Sequence, residues 1–213
     1  MFAWELTMTA ILTRSRRLPL AAGALALMFI LTTQAAPAMA AQGPAALVTN
    51  VGTQGIQALG GTSAERLARL SQLFQADFDI PGIGLFALGR YRTMATPQEM
   101  QEFFRVYPAF TVRAFNSRLD EYRGAPFRVT GKRKIGGETI ISSEITPNGG
   151  RVQLDWHLIK SGPAREYRIN DVRIGGVSMK IALRDQFASW IQSNGGRFDT
   201  LLAVMRQQIA ETR

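Results

Sequence analysis

Cysteine is absent from all 213 residues and histidine occurs once. Without cysteine there are no disulfides, no thiol nucleophile and no lipidated cysteine to anchor the chain, so the fold relies on its apolar core. One histidine and no cysteine also leave too few ligands for a zinc centre, so no metal is expected. Acidic residues are the minority, 16 against 25 Lys and Arg, and the formal charge is +9. Such an excess suits phosphate headgroups or an acidic partner. Long apolar runs are scarce. The longest uncharged one, Leu20 to Leu31, falls short of the roughly twenty residues a spanning helix needs.

That run belongs to a recognisable leader. Arg14, Arg16 and Arg17 form a positive region before it, and Ala38-Met39-Ala40 follows with small residues where a signal peptidase cuts. Residues 1–40 are therefore expected to be a cleaved signal peptide. Residues 41–213 are expected to form a single domain exported to the periplasm. Export argues against a nucleic-acid partner. A domain of that length buries roughly 70% of its unfolded surface and needs no metal or cofactor to fold.

The first half of this domain reads as helical. A glycine-broken segment runs from about Pro44 to Leu59. Thr62 and Glu65 then make a capping box before Leu67, Leu70, Phe74 and Phe78. A short helix to Leu88 follows Pro81-Gly82 and stops at Gly89. Thr96, Pro97 and Glu99 open the next helix, whose stripe is Met100, Phe103, Phe104 and Tyr107. Pro108 should kink or divide it.

After Gly124 the period changes to two. Phe127, Val129 and Ile135 alternate with Arg128, Thr130, Lys132 and Lys134, which puts both lysines outward. Gly136-Gly137 is a hairpin turn, and a second strand runs from about Thr139 to Ile145. Val152, Leu154, Trp156 and Leu158 line one face of a third strand, with His157 on the polar side. A fourth strand spans Arg165 to Ile174 with a bulge near Asn170-Asp171. Two closing helices, about Val177 to Gln192 and Phe198 to Glu211, complete an α+β fold. A four-stranded twisted antiparallel sheet is covered by N- and C-terminal helices, with an apolar cavity between them.

Few residues suit catalysis. His157 lacks a nucleophile or carboxylate partner in the pattern, and Ser178 reads as a helix cap. Gly82-Ile83-Gly84-Leu85-Phe86-Ala87 fits a dinucleotide fingerprint only on paper, because no strand precedes it. Asp77 and Asp79 read as solvated or arginine-paired, and Asp171 is the one inward acid. No catalytic residue is expected, and the chain is not read as an enzyme. Apolar surface is what the sequence has in abundance, and a packed core and a hollow one would use the same residues.

Leu88-Gly89-Arg90-Tyr91, Ala95-Thr96-Pro97 with Phe104, and Tyr122-Arg123-Gly124 resemble the MlaC or toluene-tolerance family of periplasmic lipid-shuttle proteins. So do Val152-Gln153-Leu154-Asp155-Trp156 and Asp171-Val172 leading to Gly176-Val177-Ser178-Met179. The resemblance covers roughly residues 74–207. It implies lipid tails held between sheet and helices, and passage of the lipid between inner-membrane transporter and outer-membrane lipoprotein or porin complexes. The cargo would be a phospholipid, or a hopanoid as in some relatives. Arg165-Glu166-Tyr167-Arg168 departs from the family's Gly-Trp-Lys run. The expected lipid-binding residues are Phe78, Phe86, Phe103, Phe104 and Phe110 on the helical half. On the sheet they are Val129, Ile141, Val152, Leu154, Trp156, Leu158 and Tyr167. The rival reading is an envelope adaptor that carries nothing and docks a transporter through its basic face.

Overall fold

A computed structural model describes residues 43–116, 119–162 and 166–211. The expected signal peptide, Arg118 and Arg165 lie outside the described residues. All described residues belong to one compact unit.

Helix α1 (Pro44–Ala58) starts with Pro44 in its first turn, where a missing donor does no harm. It buries Leu47, Val48 and Val51 against the sheet. Helix α2 (Ser63–Asp77) opens on the expected capping box: Glu65 N donates to Thr62 Oγ1 at 3.3 Å, and the Glu65 carboxylate accepts from Thr62 N at 2.9 Å. Helix α3 (Ile80–Leu88) is capped by Asp79, whose carboxylate accepts from Gly82 N at 3.2 Å. Gly89, at φ 51°, ends it, and a 3₁₀ turn over Gly89–Thr93 leads on.

Helix α4 (Pro97–Asn116) repeats the capping box with Thr96 and Glu99. Pro108 does not divide it, because the helix runs unbroken from Pro97 to Asn116. A proline inside a helix costs about 3 kcal/mol. The burial of Phe103, Tyr107 and Phe110 on both sides of it offsets that loss.

A 3₁₀ turn over Asp120–Tyr122 leads into the sheet. Strands β1 (Phe127–Ile135), β2 (Glu138–Ile145), β3 (Val152–Lys160), β4 (Tyr167–Ile174) and β5 (Val177–Ser178) pair in sequence order, all antiparallel. Among the described residues the sheet thus has five strands where four were expected. Gly175 and Gly176, both at positive φ, reverse the chain so that two residues pair back on β4. Helix α5 (Met179–Ser193) begins only then, with Ser178 accepting from Ile181 N as its cap. Helix α6 (Phe198–Glu211) packs chiefly on α4.

Two bulges re-aim side chains. Asn170 is the extra residue of β4, near the position expected from its parity slip. Thr130 is the extra residue of β1, which the alternation did not show. Beyond Thr130 the parity inverts. Lys132 comes opposite Ile141 and Lys134 opposite Thr139, so both share the face of the core instead of the outer face, although both remain exposed at its edge. Arg133 turns outward and pairs with Asp155 at 2.8 Å. His157, expected at the surface, is buried, with Nδ1 2.8 Å from the Glu138 carboxylate. Asp77 is likewise buried, which rules out the solvated half of its expected placing.

Two apolar clusters result. One is an aromatic core among α3, α4, α5 and α6, built on Phe103, Tyr107, Phe110 and Phe187. The other joins α1 to the sheet through Val48, Ile141, Leu158 and Ile169. Phe78 packs against both.

Candidate functional site

Between the two clusters lies an apolar cavity of about 250 Å³. Its floor is the sheet, through Phe127, Ile145, Val152, Leu154, Trp156, Val172 and Ile174. Its roof is α1 and α2, through Val51, Gly52, Ile56, Leu59, Leu70, Leu73 and Phe74. Tyr107, Thr111 and Phe115, each four residues after the last, run along it on one face of α4. Ile83, Met179 and Leu183 close one end, and Leu119 and Tyr122 stand at the other.

The local reasons are visible. Gly52 lets α1 lie directly on the sheet: a Cβ there would sit 2.3 Å from the Phe127 ring. Trp156 points its ring inward, since its indole N–H donates to Ser143 Oγ at 2.8 Å in the strand alongside. Ser143 is fully buried, so that bond satisfies both groups.

The walls are almost wholly hydrocarbon, and the few polar groups beside them are mostly engaged. Asp171, the one inward acid expected, accepts from Ser178 Oγ at 2.6 Å and from Lys180 N at 3.1 Å, so it organises the start of α5. Asn170 donates to Asp79 and accepts from Lys180 Nζ. Two hydroxyls differ. Tyr107 Oη and Thr111 Oγ1 are buried and interact with each other along α4, and among the described residues neither makes a well-formed hydrogen bond. Burial pushes the Tyr107 phenol well above its ordinary pKa, so it stays protonated. Among the described residues no group of three His, Asp or Glu converges as a metal site.

Of the twelve residues named as lipid contacts from sequence, the cavity wall gathers Phe78, Val152, Leu154 and Trp156. The others lie elsewhere. Phe103 and Phe110 are spent in the aromatic core, which α6 and α5 complete from behind α4. Phe104 packs edge-on against Phe103 beside an outer groove with Ile80 and Pro81. Phe86 faces Lys180 Nζ at 4.9 Å and Arg184 at 5.4 Å. Ile141, Leu158, Val129 and Tyr167 belong to the sheet cluster outside the cavity. The sequence reading left out α1 altogether, along with Leu70, Thr111, Phe115, Leu119 and Tyr122. Their helical spacing from Phe74 and Tyr107 was the available signal.

Comparison with known proteins places this arrangement. The family model described as "MlaC protein" matches residues 47–207. The toluene tolerance protein ttg2D of Pseudomonas putida is 24% identical over 125 residues, 58% of each chain. The chain therefore spans a little under three fifths of that relative's length. A phospholipid-binding protein from Ralstonia solanacearum, solved in complex with a phospholipid, superposes with a TM-score of 0.64 at 22% identity. That match covers 79% of this chain and 97% of the other, and it shows a shared fold.

Proposed function

The chain belongs to the MlaC family, and on that premise we propose that it is a periplasmic lipid carrier without enzymatic activity. It would shuttle a phospholipid, or a hopanoid-type lipid, between inner- and outer-membrane transport components. The observation that carries this reading is the cavity itself, enclosed on four sides and lined by hydrocarbon. Each methylene exposed to water costs about 0.8 kcal/mol, so a chain of roughly sixteen carbons left wet would cost about 12 kcal/mol. Transfer across an aqueous gap therefore requires the tails to be inside. The phospholipid held by the Ralstonia solanacearum protein of like fold supports the same cargo class. At about 250 Å³ the cavity is smaller than the roughly 300–1,000 Å³ of pockets that enclose drug-sized ligands, so a two-chain lipid must part the roof from the floor.

Native mass spectrometry of protein purified from its own envelope tests this. One lipid per chain, identified as phospholipid or hopanoid after organic extraction, is the expected result. An extract with no stoichiometric lipid refutes the carrier and favours an adaptor that docks through its basic face.

A further inference from the structure

A second feature sits at one end of the cavity. At the Ile83 and Leu183 end those two residues and Asp171 are buried and Met179, Asn170 and Lys180 half-buried, whereas at the other end Gly55, Ile56, Leu70, Leu73, Phe115, Leu119 and Tyr122 are all half-buried. The wider opening therefore lies between α1, α2 and the 3₁₀ turn. Arg66 lies one helical turn before Leu70 on α2, and Asp120 lies between Leu119 and Tyr122. Arg66 Nη1 donates to Asp120 Oδ1 at 2.6 Å, and Arg123 Nη2 donates to the same oxygen at 2.9 Å.

The arrangement is unusual in three respects. Arg66 is almost wholly buried, with a side chain only 9% exposed, yet its Nε has no hydrogen-bond partner among the described residues. Two guanidinium groups converge on one carboxylate oxygen, which leaves these three side chains one positive charge in excess beside a hydrocarbon cavity. Asp120 itself is 59% exposed and can swing into water. Glu121, on the same turn, is exposed beside Tyr122 and does not pair with either arginine in the hydrogen bonds described. A buried arginine needs several acceptors in fixed geometry, and a phosphate offers them as a planar fork prefers.

Resting on the carrier reading, we propose that Arg66 and Arg123 seat the phosphodiester of the cargo's headgroup, with its acyl chains running past Leu70 and Leu119 into the cavity. One phosphodiester monoanion neutralises the charge that Asp120 leaves over, and its oxygens reach both guanidinium groups. The cargo is then an anionic phosphate-bearing lipid and not a neutral one of equal chain length.

The test uses the delipidated protein with two probes of identical chains, dioleoyl phosphatidylglycerol and dioleoylglycerol, and inorganic phosphate as a third. Charge-assisted bonds of this kind give the phospholipid an advantage of about tenfold or more. That ratio should collapse toward one in Arg123→Gln, whose side chain is half exposed, and should fall partway in Arg66→Lys, which keeps the charge but loses the fork. Inorganic phosphate at millimolar concentration should erode the preference without binding tightly by itself. Equal affinity of the wild type for both lipids overturns the phosphate seat while leaving the carrier intact, as does an unchanged ratio in Arg123→Gln. Tight binding of inorganic phosphate alone reassigns the site to a free anion and also overturns the proposal. Failure of the wild type to bind either lipid refutes the carrier reading instead.

Discussion

Truncating two leucines on the same face of β3 distinguishes a cavity wall from ordinary core. Leu158 is fully buried, pairs opposite Thr139 and Ile169, and lies in the sheet cluster away from the cavity. Leu154, four residues earlier, has one side on the empty space. Leu158→Ala removes a fully packed side chain and opens a new void, which should cost about 3–4 kcal/mol. Leu154→Ala enlarges a void that already exists, and part of its side chain has no packing partner to lose. Its cost in lipid-free protein should stay below about 2 kcal/mol, less than full burial of a leucine is worth. For a domain of this length 1 kcal/mol moves the melting temperature by about 2–4 °C, so the two variants should separate by several degrees. Urea melts of delipidated protein, with unchanged m-values, measure both. Reloading with lipid should then reverse the order of interest: Leu154→Ala should gain less stability from lipid than the wild type does. Equal losses for the two variants in lipid-free protein would show that β3 is uniformly packed and that the cavity is not a property of the resting state.

Gly55→Ala should stabilise by about 0.5–1 kcal/mol, since it adds helix propensity in open space, whereas Gly52→Ala should destabilise, since its Cβ meets the Phe127 ring; thermal melts of the pair read the contrast. Glu102 is held down to about 2, first by Arg105 and then by Arg206 of α6. A lowered folded pKa contributes stability above the ordinary value of 4.5 that is lost as pH falls toward 2, so the acid limb of wild-type stability should be steeper there than that of Glu102→Gln.

What could be read locally was legible in the sequence. Both capping boxes, the Gly136-Gly137 hairpin, the Ser178 cap and the β4 bulge depend on residues within a few positions of one another, and they stand where the patterns put them. The cavity depends on segments far apart. Helix α4 is apolar on two sides, and only the arrival of α5 and α6, some eighty residues later, decides that Phe103 and Phe110 are filled in, that Thr111 and Phe115 face the cavity, and that Tyr107 borders both. The same holds for α1, whose glycines read as weakness; Gly52 is instead the contact that brings the roof down to Phe127. The bulge at Thr130 did leave a signal, since Gly131 follows it within a strand. Overlooking it turned Lys132 and Lys134 to the wrong face. His157 was misplaced because alternation reports a face and not what lies over it.

The separation of the two apolar clusters bears on the journey a carrier makes without cargo. The stacked rings of Phe103 and Tyr107, with Phe187 and Trp190 beside them, form a bundle whose buried members meet the cavity only at Ile83, Tyr107 and Leu183. On the carrier proposal, lipid release then wets only that edge of the bundle, and α3 to α6 are expected to keep their positions. Were the ligand site the sole core, each delivery would end in an unfolded chain exposed to envelope proteases. On the carrier proposal, the empty form remains a folded molecule, able to return and load again.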